Sequence, residues 1–338
     1  MVRRYGINTQ GREFSRATHP TLTLLELRNF WLMELQEWQK LSEEQKNRYS
    51  QELAAHLPQL VIFKGLRFYP DGGPELSIAI FEYGGALFSL MPGGEVQIGY
   101  EAYNFRPTDE QIESFQDTAQ VYEIDRDIYS YVQSVTTPPR KVTFSPMLVE
   151  IKPTKIGLEA ISSESLKIQN LLKEFPDRQR MICNDRYGFD RAEDGSIEAW
   201  QITSKTHEEL ATELATEGLR LLTFDEWEYA CGAGSTTLFR WGDLNPSDCY
   251  PTDKAADWKL HLQPNLFGLH IAQNPYDGEV ISDKHTVRGG DGGCSICGGL
   301  GSFFGWLPLA TAYWEPDALE WLDEDISGNL MRRIIPLP

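Results

Sequence analysis

Apolar side chains near the N-terminus repeat at helical spacing. Residues 22–41 carry them at intervals of three or four positions, on one stripe of a helix: Leu24, Leu27, Trp31, Leu35 and Trp38. Ser42 and Gln45 then have the spacing of a capping box, which predicts a second helix ending before Pro58. The two segments predict a helical hairpin over residues 1–60, serving as a packing element or as a dock for a protein partner.

From Val61 to Ile98 the pattern changes to short β-branched and aromatic runs separated by glycine-rich turns, which predicts antiparallel strands and hairpins. Residues 100–137 are polar and acidic, and we expect a surface excursion with at most a short helix around residues 109–115. The alternating run KVTFSPMLVEI (141–151) predicts another strand, in which Pro146 would suit an edge or a bulge.

Helix start signals return in the second half of the chain. Thr206 with Glu209, and Thr223 with Glu226, form two capping boxes, and Gly218 is suited to the left-handed position after the first helix. After residue 232, glycine, proline, asparagine and tryptophan dominate without a regular period. We therefore predict two short helices followed by a long irregular segment within one domain over residues 61–338.

Composition and charge narrow the function classes. Lys and Arg total 31 against 50 Asp and Glu, and the resulting net charge of −19 would repel nucleic acid. No apolar run is long enough to span a membrane, and the first residues lack the pattern of a signal peptide. We expect a cytoplasmic protein. Three of the five cysteines stand alone in sequence, so only Cys294 and Cys297 look paired.

Several motifs occur in an order that resembles one family. They are LFSLMPGGEVQIG (87–99), PRKVTFSPMLVEI (139–151), GLRLLTFDEWEYACGAG (218–234), FRWGD (239–243), NLFGLHI (265–271) and TVRGGDGGC (286–294). This text resembles the formylglycine-generating-enzyme family, also called the sulfatase-modifying-factor family, over residues 85 to about 335. The resemblance implies an α+β, loop-rich variant of the C-type lectin fold, preceded here by the helical hairpin.

The resemblance also implies a chemistry. Enzymes of that family oxidise a substrate cysteine with two cysteines that hold copper(I) and activate dioxygen, and Cys294 and Cys297 stand near those positions, at a spacing of three rather than five. Two thiolates on one glycine-rich loop suit a soft metal. A zinc site, a thiol redox pair and unligated cysteines remain alternatives. Asp291, between glycines, is a candidate base or ligand, or simply a turn residue.

Two further sets of candidate ligand-binding residues follow. Glycines and aromatic residues around the thiols could line a ligand pocket, or be core: Gly289, Gly290, Phe304, Trp306 and Trp314. Some family members bind calcium in the stretch that here reads QNPYDGEV (273–280). Its Asn274, Asp277 and Glu279 offer oxygen ligands, although a solvated turn explains them too.

Two functional hypotheses result. The first is a copper- and thiol-dependent oxidase that acts on a thiol-bearing peptide or small molecule. The second is a non-catalytic C-type-lectin-like module that binds a ligand or a protein, including as a subunit of a larger assembly. Oxidation that depends on the two cysteines would favour the first, and full activity of a variant without them would favour the second.

Overall fold

The computed structural model describes residues 31–58, 60–69, 76–183, 186–192, 194–315 and 324–337. Its first half contains helices α1 (Leu35–Lys40), α2 (Glu43–His56), α3 (Asp109–Val121), α4 (Ile128–Val135) and α5 (Leu166–Glu174). Its strands there are β1 (Ile62–Phe68), β2 (Ser77–Tyr83), β3 (Ala86–Met91), β4 (Gly94–Ile98), β5 (Arg140–Phe144), β6 (Met147–Glu150), β7 (Thr154–Lys155) and β8 (Leu158–Ile161).

The second half continues with strands β9 (Arg180–Cys183), β10 (Tyr187–Arg191), β11 (Ile197–Ile202), β12 (Arg220–Leu221), β13 (Glu279–Val280), β14 (Val287–Arg288), β15 (Leu330–Met331) and β16 (Arg333–Pro336). Its helices are α6 (His207–Thr216), α7 (Phe224–Gly232), α8 (Cys294–Cys297) and α9 (Ser302–Trp306). Single 3₁₀ turns occur at Ala102–Asn104, Leu260–Leu262 and Leu307–Leu309.

The central sheet is antiparallel and has the strand order β1-β2-β3-β6-β16-β12. Two four-stranded sheets, β8-β11-β10-β9 and β14-β13-β15-β7, and the ribbon β4-β5 complete the described strands. The chain is thus α+β, and the antiparallel hairpins predicted over residues 61–98 are confirmed. In the described part of the chain, no helix is long and apolar enough to cross a membrane.

The N-terminal helices pack on the edge of the central sheet. Ser42 and Gln45 form the predicted capping box, and the Trp38 indole donates to the Ser77 carbonyl at 2.8 Å. Trp38 and Leu53 are fully buried in the same core cluster as the central sheet. The predicted first helix begins only at Leu35, because the preceding residues bridge to Gly93; the part of that prediction before residue 31 lies outside the described residues.

The prediction for residues 100–137 was wrong, because this segment folds into α3 and α4. Thr108 caps α3 through the backbone N–H of Gln111. Phe115 on α3 and Val132 on α4 are almost fully buried, which anchors both helices to the core. The acidic residues of α3 that suggested a surface excursion occupy its outer face, whereas Gln111 and Thr118 are buried.

The predicted strand over residues 141–151 is split into two. It ends at Phe144 and resumes at Met147, with Pro146 between the two pieces. The first piece pairs with β4, whereas the second lies in the central sheet between β3 and β16. Proline has no N–H to donate to a ladder, so it fits the point where the chain leaves one sheet for another.

Both capping boxes of the second half are confirmed. Thr206 with Glu209 begins α6, and Thr223 with Glu226 begins α7. Gly218 has a φ of +71°, as expected for the left-handed residue after a helix. These signals place the aromatic face of α7 against the core, where Trp227 is fully buried.

Candidate functional site

The loop after β14 approaches its neighbours closely through glycines. Gly289 has a φ of +81°, and a Cβ atom there would lie 2.8 Å from the Trp227 ring. A Cβ atom on Gly290 would lie 2.6 Å from the Pro275 carbonyl oxygen. The two glycines thus lie against the protein itself, Gly289 against the Trp227 ring and Gly290 against the backbone at Pro275. Their proposed contact with a ligand stays a prediction.

Asp291 organises the turn that follows. Its side chain is almost fully buried and accepts hydrogen bonds from the backbone N–H groups of Gly293 (2.7 Å) and Ser295 (3.0 Å). Its own N–H donates to the Pro275 carbonyl at 3.0 Å. The carboxylate thus satisfies two backbone N–H groups at the start of the single-turn helix α8.

Cys294 and Cys297 are the first and last residues of α8, and both are free, exposed thiols. Residues at this spacing share one face of a helix, so the two side chains leave the same side of the turn. The hydroxyl of Tyr276 lies 3.2 Å from the sulfur of Cys297. The structure therefore places a pair of thiols and a phenol together at the surface.

Electrostatics favour the protonated form of Cys294. Partial burial raises the pKa of its thiol, and the negative charges of Asp291 and Glu315 raise this pKa further. The other cysteines differ in setting, since Cys231 is fully buried with a pKa raised to about 11 by desolvation, and Cys183 and Cys249 are half-buried. The exposed pair on α8 is thus the most accessible thiol site of this chain.

The aromatic residues that follow the thiols lie in the core or at its border. Phe304 is 2% exposed and stacks on Phe115 with ring centroids 5.3 Å apart. Trp306 is fully buried, and its indole donates to the Cys249 carbonyl at 2.9 Å. Trp314 is half-buried. The rings of Phe304 and Trp306 are thus occupied by other side chains, and their contact with a ligand stays a prediction.

His261 packs edge-on against Trp306, with ring centroids 4.9 Å apart, and is 3% exposed. One ring nitrogen bonds the Pro251 carbonyl, while Nδ1 has no hydrogen-bond partner in the described part of the protein. Burial lowers the pKa of this imidazole to about 4 from its ordinary 6.5. The folded protein therefore holds His261 neutral.

Acidification should destabilise the fold through His261. The pKa of His261 is lower in the folded protein than in the unfolded chain, so the unfolded chain binds the proton more tightly. The contribution of His261 to the free energy of unfolding is therefore fully present above about pH 6.5 and is lost as the pH falls toward 4. We expect a loss of about 2 kcal/mol in the free energy of unfolding between pH 7 and pH 5 from this residue. Urea denaturation of His261→Gln should show a flatter pH dependence, and the exposed His285→Gln should match the parent. A parent-like slope for His261→Gln would contradict the assignment.

The candidate calcium ligands Asn274, Asp277 and Glu279 are among the residues that line a cavity of about 330 Å³. The Asn274 amide donates to the Asp277 carboxylate at 2.7 Å. Glu279 is buried and accepts hydrogen bonds from Arg332 and from the Trp227 indole. Among the described residues, no group of three or more His, Cys, Asp or Glu side chains is arranged to hold a metal ion. Calcium binding stays a prediction.

The chain was compared with protein families and with curated proteins. No family model and no curated protein matches this chain. The resemblance to the formylglycine-generating-enzyme family therefore rests on the sequence motifs alone.

Sequence reasoning missed two residues of functional interest. Tyr276 belongs to the stretch interpreted as a calcium loop, and only the fold brings it to Cys297, 21 positions later. Arg240 belongs to the motif FRWGD, and its guanidinium donates to the carbonyls of Ala272, His261 and Gln263, which lie 21 to 32 positions later. No local sequence signal identifies either contact, because both depend on loops that meet in space.

Proposed function

We propose that this protein is a divergent formylglycine-generating-enzyme-like protein in which Cys294 and Cys297 hold copper(I), and that it oxidises a thiol-bearing peptide or small molecule with dioxygen as the electron acceptor. The observation that supports this proposal is the pair of exposed, free thiols on one turn of helix. Two thiolates on one face match the soft ligands that copper(I) prefers.

The donor set fits such an ion. Thiols bind a metal as thiolates and release their protons on binding. The carboxylates of Asp291 and Glu315 raise the pKa of the free Cys294 thiol, and the same negative charge attracts a cation. This electrostatic setting suits a metal-bound thiolate better than a free thiolate nucleophile.

The protein's own groups would act around the ion as follows. Asp291 positions the turn through Gly293 and Ser295, and Tyr276 offers a hydroxyl within hydrogen-bond distance of Cys297. The substrate thiol would bind on the exposed side of α8. Copper(I), when bound, supplies a soft site for that thiol and reactivity toward dioxygen.

Titration with copper(I) in competition with a chromophoric chelator tests the site. We expect one equivalent to bind tightly, with an affinity that rises with pH because the thiols must lose protons. Cys294→Ser and Cys297→Ser should each weaken binding by about a hundredfold or more, since each removes one of two thiolates. Cys249→Ser, which removes a half-buried thiol elsewhere, is the matched control and should bind like the parent.

Equal binding by the parent and by the Cys294→Ser, Cys297→Ser double variant would exclude the site. Oxygen uptake by the copper-loaded protein with a cysteine-containing peptide tests the reaction separately. If copper binds tightly but no oxygen is consumed, the metal site stands and the proposed oxidase activity does not.

A recognition module is the second candidate, favoured by one observation. A groove of about 680 Å³ opens on the surface, and its lining contains no cysteine. If the double cysteine variant keeps the full biological activity of the parent, recognition rather than oxidation is the function.

A further inference from the structure

The largest groove among the described cavities lies between α1, the end of α7 and the loops after it. Its volume is about 680 Å³. The lining residues that matter here are Leu35, Arg240, Trp241, Leu260, Pro264 and Leu266. The groove therefore combines one cationic side chain with several apolar ones, and the N-terminal helix α1 supplies part of its wall.

Arg240 is held in this groove by neutral partners. Its guanidinium donates to the carbonyls of Ala272 (3.2 Å), His261 and Gln263 (3.0 Å). It also lies 4.9 Å from the centroid of the Trp241 ring, within the range of a cation–π contact. These contacts fix the side chain firmly without neutralising its charge.

The charge of Arg240 has no counter-ion in the described part of the chain. No ion pair among those residues includes it, although the whole protein carries a net charge of −19. Desolvation lowers the pKa of its guanidinium to about 10. A half-buried cation whose hydrogen-bond partners are all neutral carbonyls keeps its charge available to an anion from solvent.

Two features define the anion that would pair with Arg240. Three of the five N–H donors of Arg240 bond to protein carbonyls within the described residues, which leaves two for a ligand. Among the described residues that line the groove, Arg240 is the one charged side chain, so it matches a single negative charge and not the two charges of a phosphate ester.

We propose that this groove binds a small organic monocarboxylate, with its carboxylate on Arg240 and its apolar part along Trp241, Leu260 and Leu266. The site is separate from the thiols and does not rest on the copper proposal. It gives the N-terminal hairpin a role, because Leu35 of α1 forms part of the apolar wall.

Isothermal titration with 3-phenylpropionate, and with its neutral amide 3-phenylpropanamide, tests the charge requirement on the full chain. The carboxylate should bind the parent at least about tenfold more tightly than the amide, because a charge-assisted hydrogen bond is lost in the amide. Arg240→Gln should remove that preference. Equal binding of acid and amide, or no binding of either, would overturn the proposal.

A second pair of variants leaves Arg240 in place, in case its replacement disturbs the loops it bonds. Leu260 and Leu262 lie on the same 3₁₀ turn and are each 43% exposed, but only Leu260 lines the groove. Leu260→Asp should weaken the binding of 3-phenylpropionate at least about tenfold, because the new carboxylate repels the ligand and the apolar contact is lost. Leu262→Asp should leave this binding unchanged. If the two variants change the binding equally, the groove is not the binding site. If equimolar inorganic phosphate displaces 3-phenylpropionate, the site is not selective for a monocarboxylate.

Discussion

Replacing Arg332 with methionine is expected to lower the free energy of unfolding by about 3–5 kcal/mol. Arg332 is 1% exposed, pairs with Glu279 at 2.7 Å and donates to the carbonyls of Glu150, Ile151 and His270. Without it, the buried Glu279 carboxylate keeps only the Trp227 indole as a donor among the described residues. Removing one partner of a buried ion pair leaves an uncompensated buried charge, and this charge accounts for most of the lost stability.

Urea denaturation followed by tryptophan fluorescence measures this loss. The surface pair of Lys141 and Glu95, 2.8 Å apart and exposed on both sides, supplies the control, and Lys141→Met should cost less than about 1 kcal/mol. Adding Glu279→Gln to Arg332→Met should recover part of the loss, because the buried charge is then gone. If Arg332→Met behaves like Lys141→Met, the buried pair does not stabilise the fold.

Gly289→Ala should cost about 3 kcal/mol in the free energy of unfolding, by two mechanisms. Its φ of +81° is unfavourable for any L side chain, and the new Cβ would lie 2.8 Å from the Trp227 ring, which is fully buried and cannot yield easily. The nearby Gly292 has a φ of +69° but open space around its Cβ position.

The comparison of these two glycines separates backbone strain from steric conflict. Gly292→Ala carries the backbone penalty alone and should cost about 1 kcal/mol. Both variants can be measured by the same denaturation. Equal losses would mean that the packing of Gly289 against Trp227 adds nothing, and that the loop before the thiols is free to move away from α7.

The candidate site was predictable in its residues and not in its environment. The spacing of Cys294 and Cys297 already indicated a thiol pair, and the structure places both at the surface of one helical turn. The aromatic residues Phe304 and Trp306 gave an ambiguous signal, because a pocket wall and a core have the same composition. Their burial against rings from α3 and from residues 241–261 follows from packing between distant segments.

Over residues 100–137 the polar composition led to the wrong prediction of a surface excursion, whereas the segment forms two helices. An amphipathic helix needs only a narrow apolar stripe, and here single residues such as Phe115 and Val132 provide it. Phe115 packs against Phe303 and Phe304 of α9, which lie far along the chain. A surface excursion and an outer helix thus look alike until the opposing surface is known.

The sequence by itself determined the helix starts of α2, α6 and α7 and the hairpins of the central sheet, and it indicated that Cys294 and Cys297 share one glycine-rich loop. These features depend on neighbours within a few positions, since a cap or a turn satisfies its own backbone groups locally. Only the tertiary structure decided which carboxylate Arg332 neutralises, where Tyr276 lies, and that Arg240 meets no carboxylate among the described residues. Those contacts join segments separated by many residues, and a charge becomes costly or useful only after the fold has removed it from water.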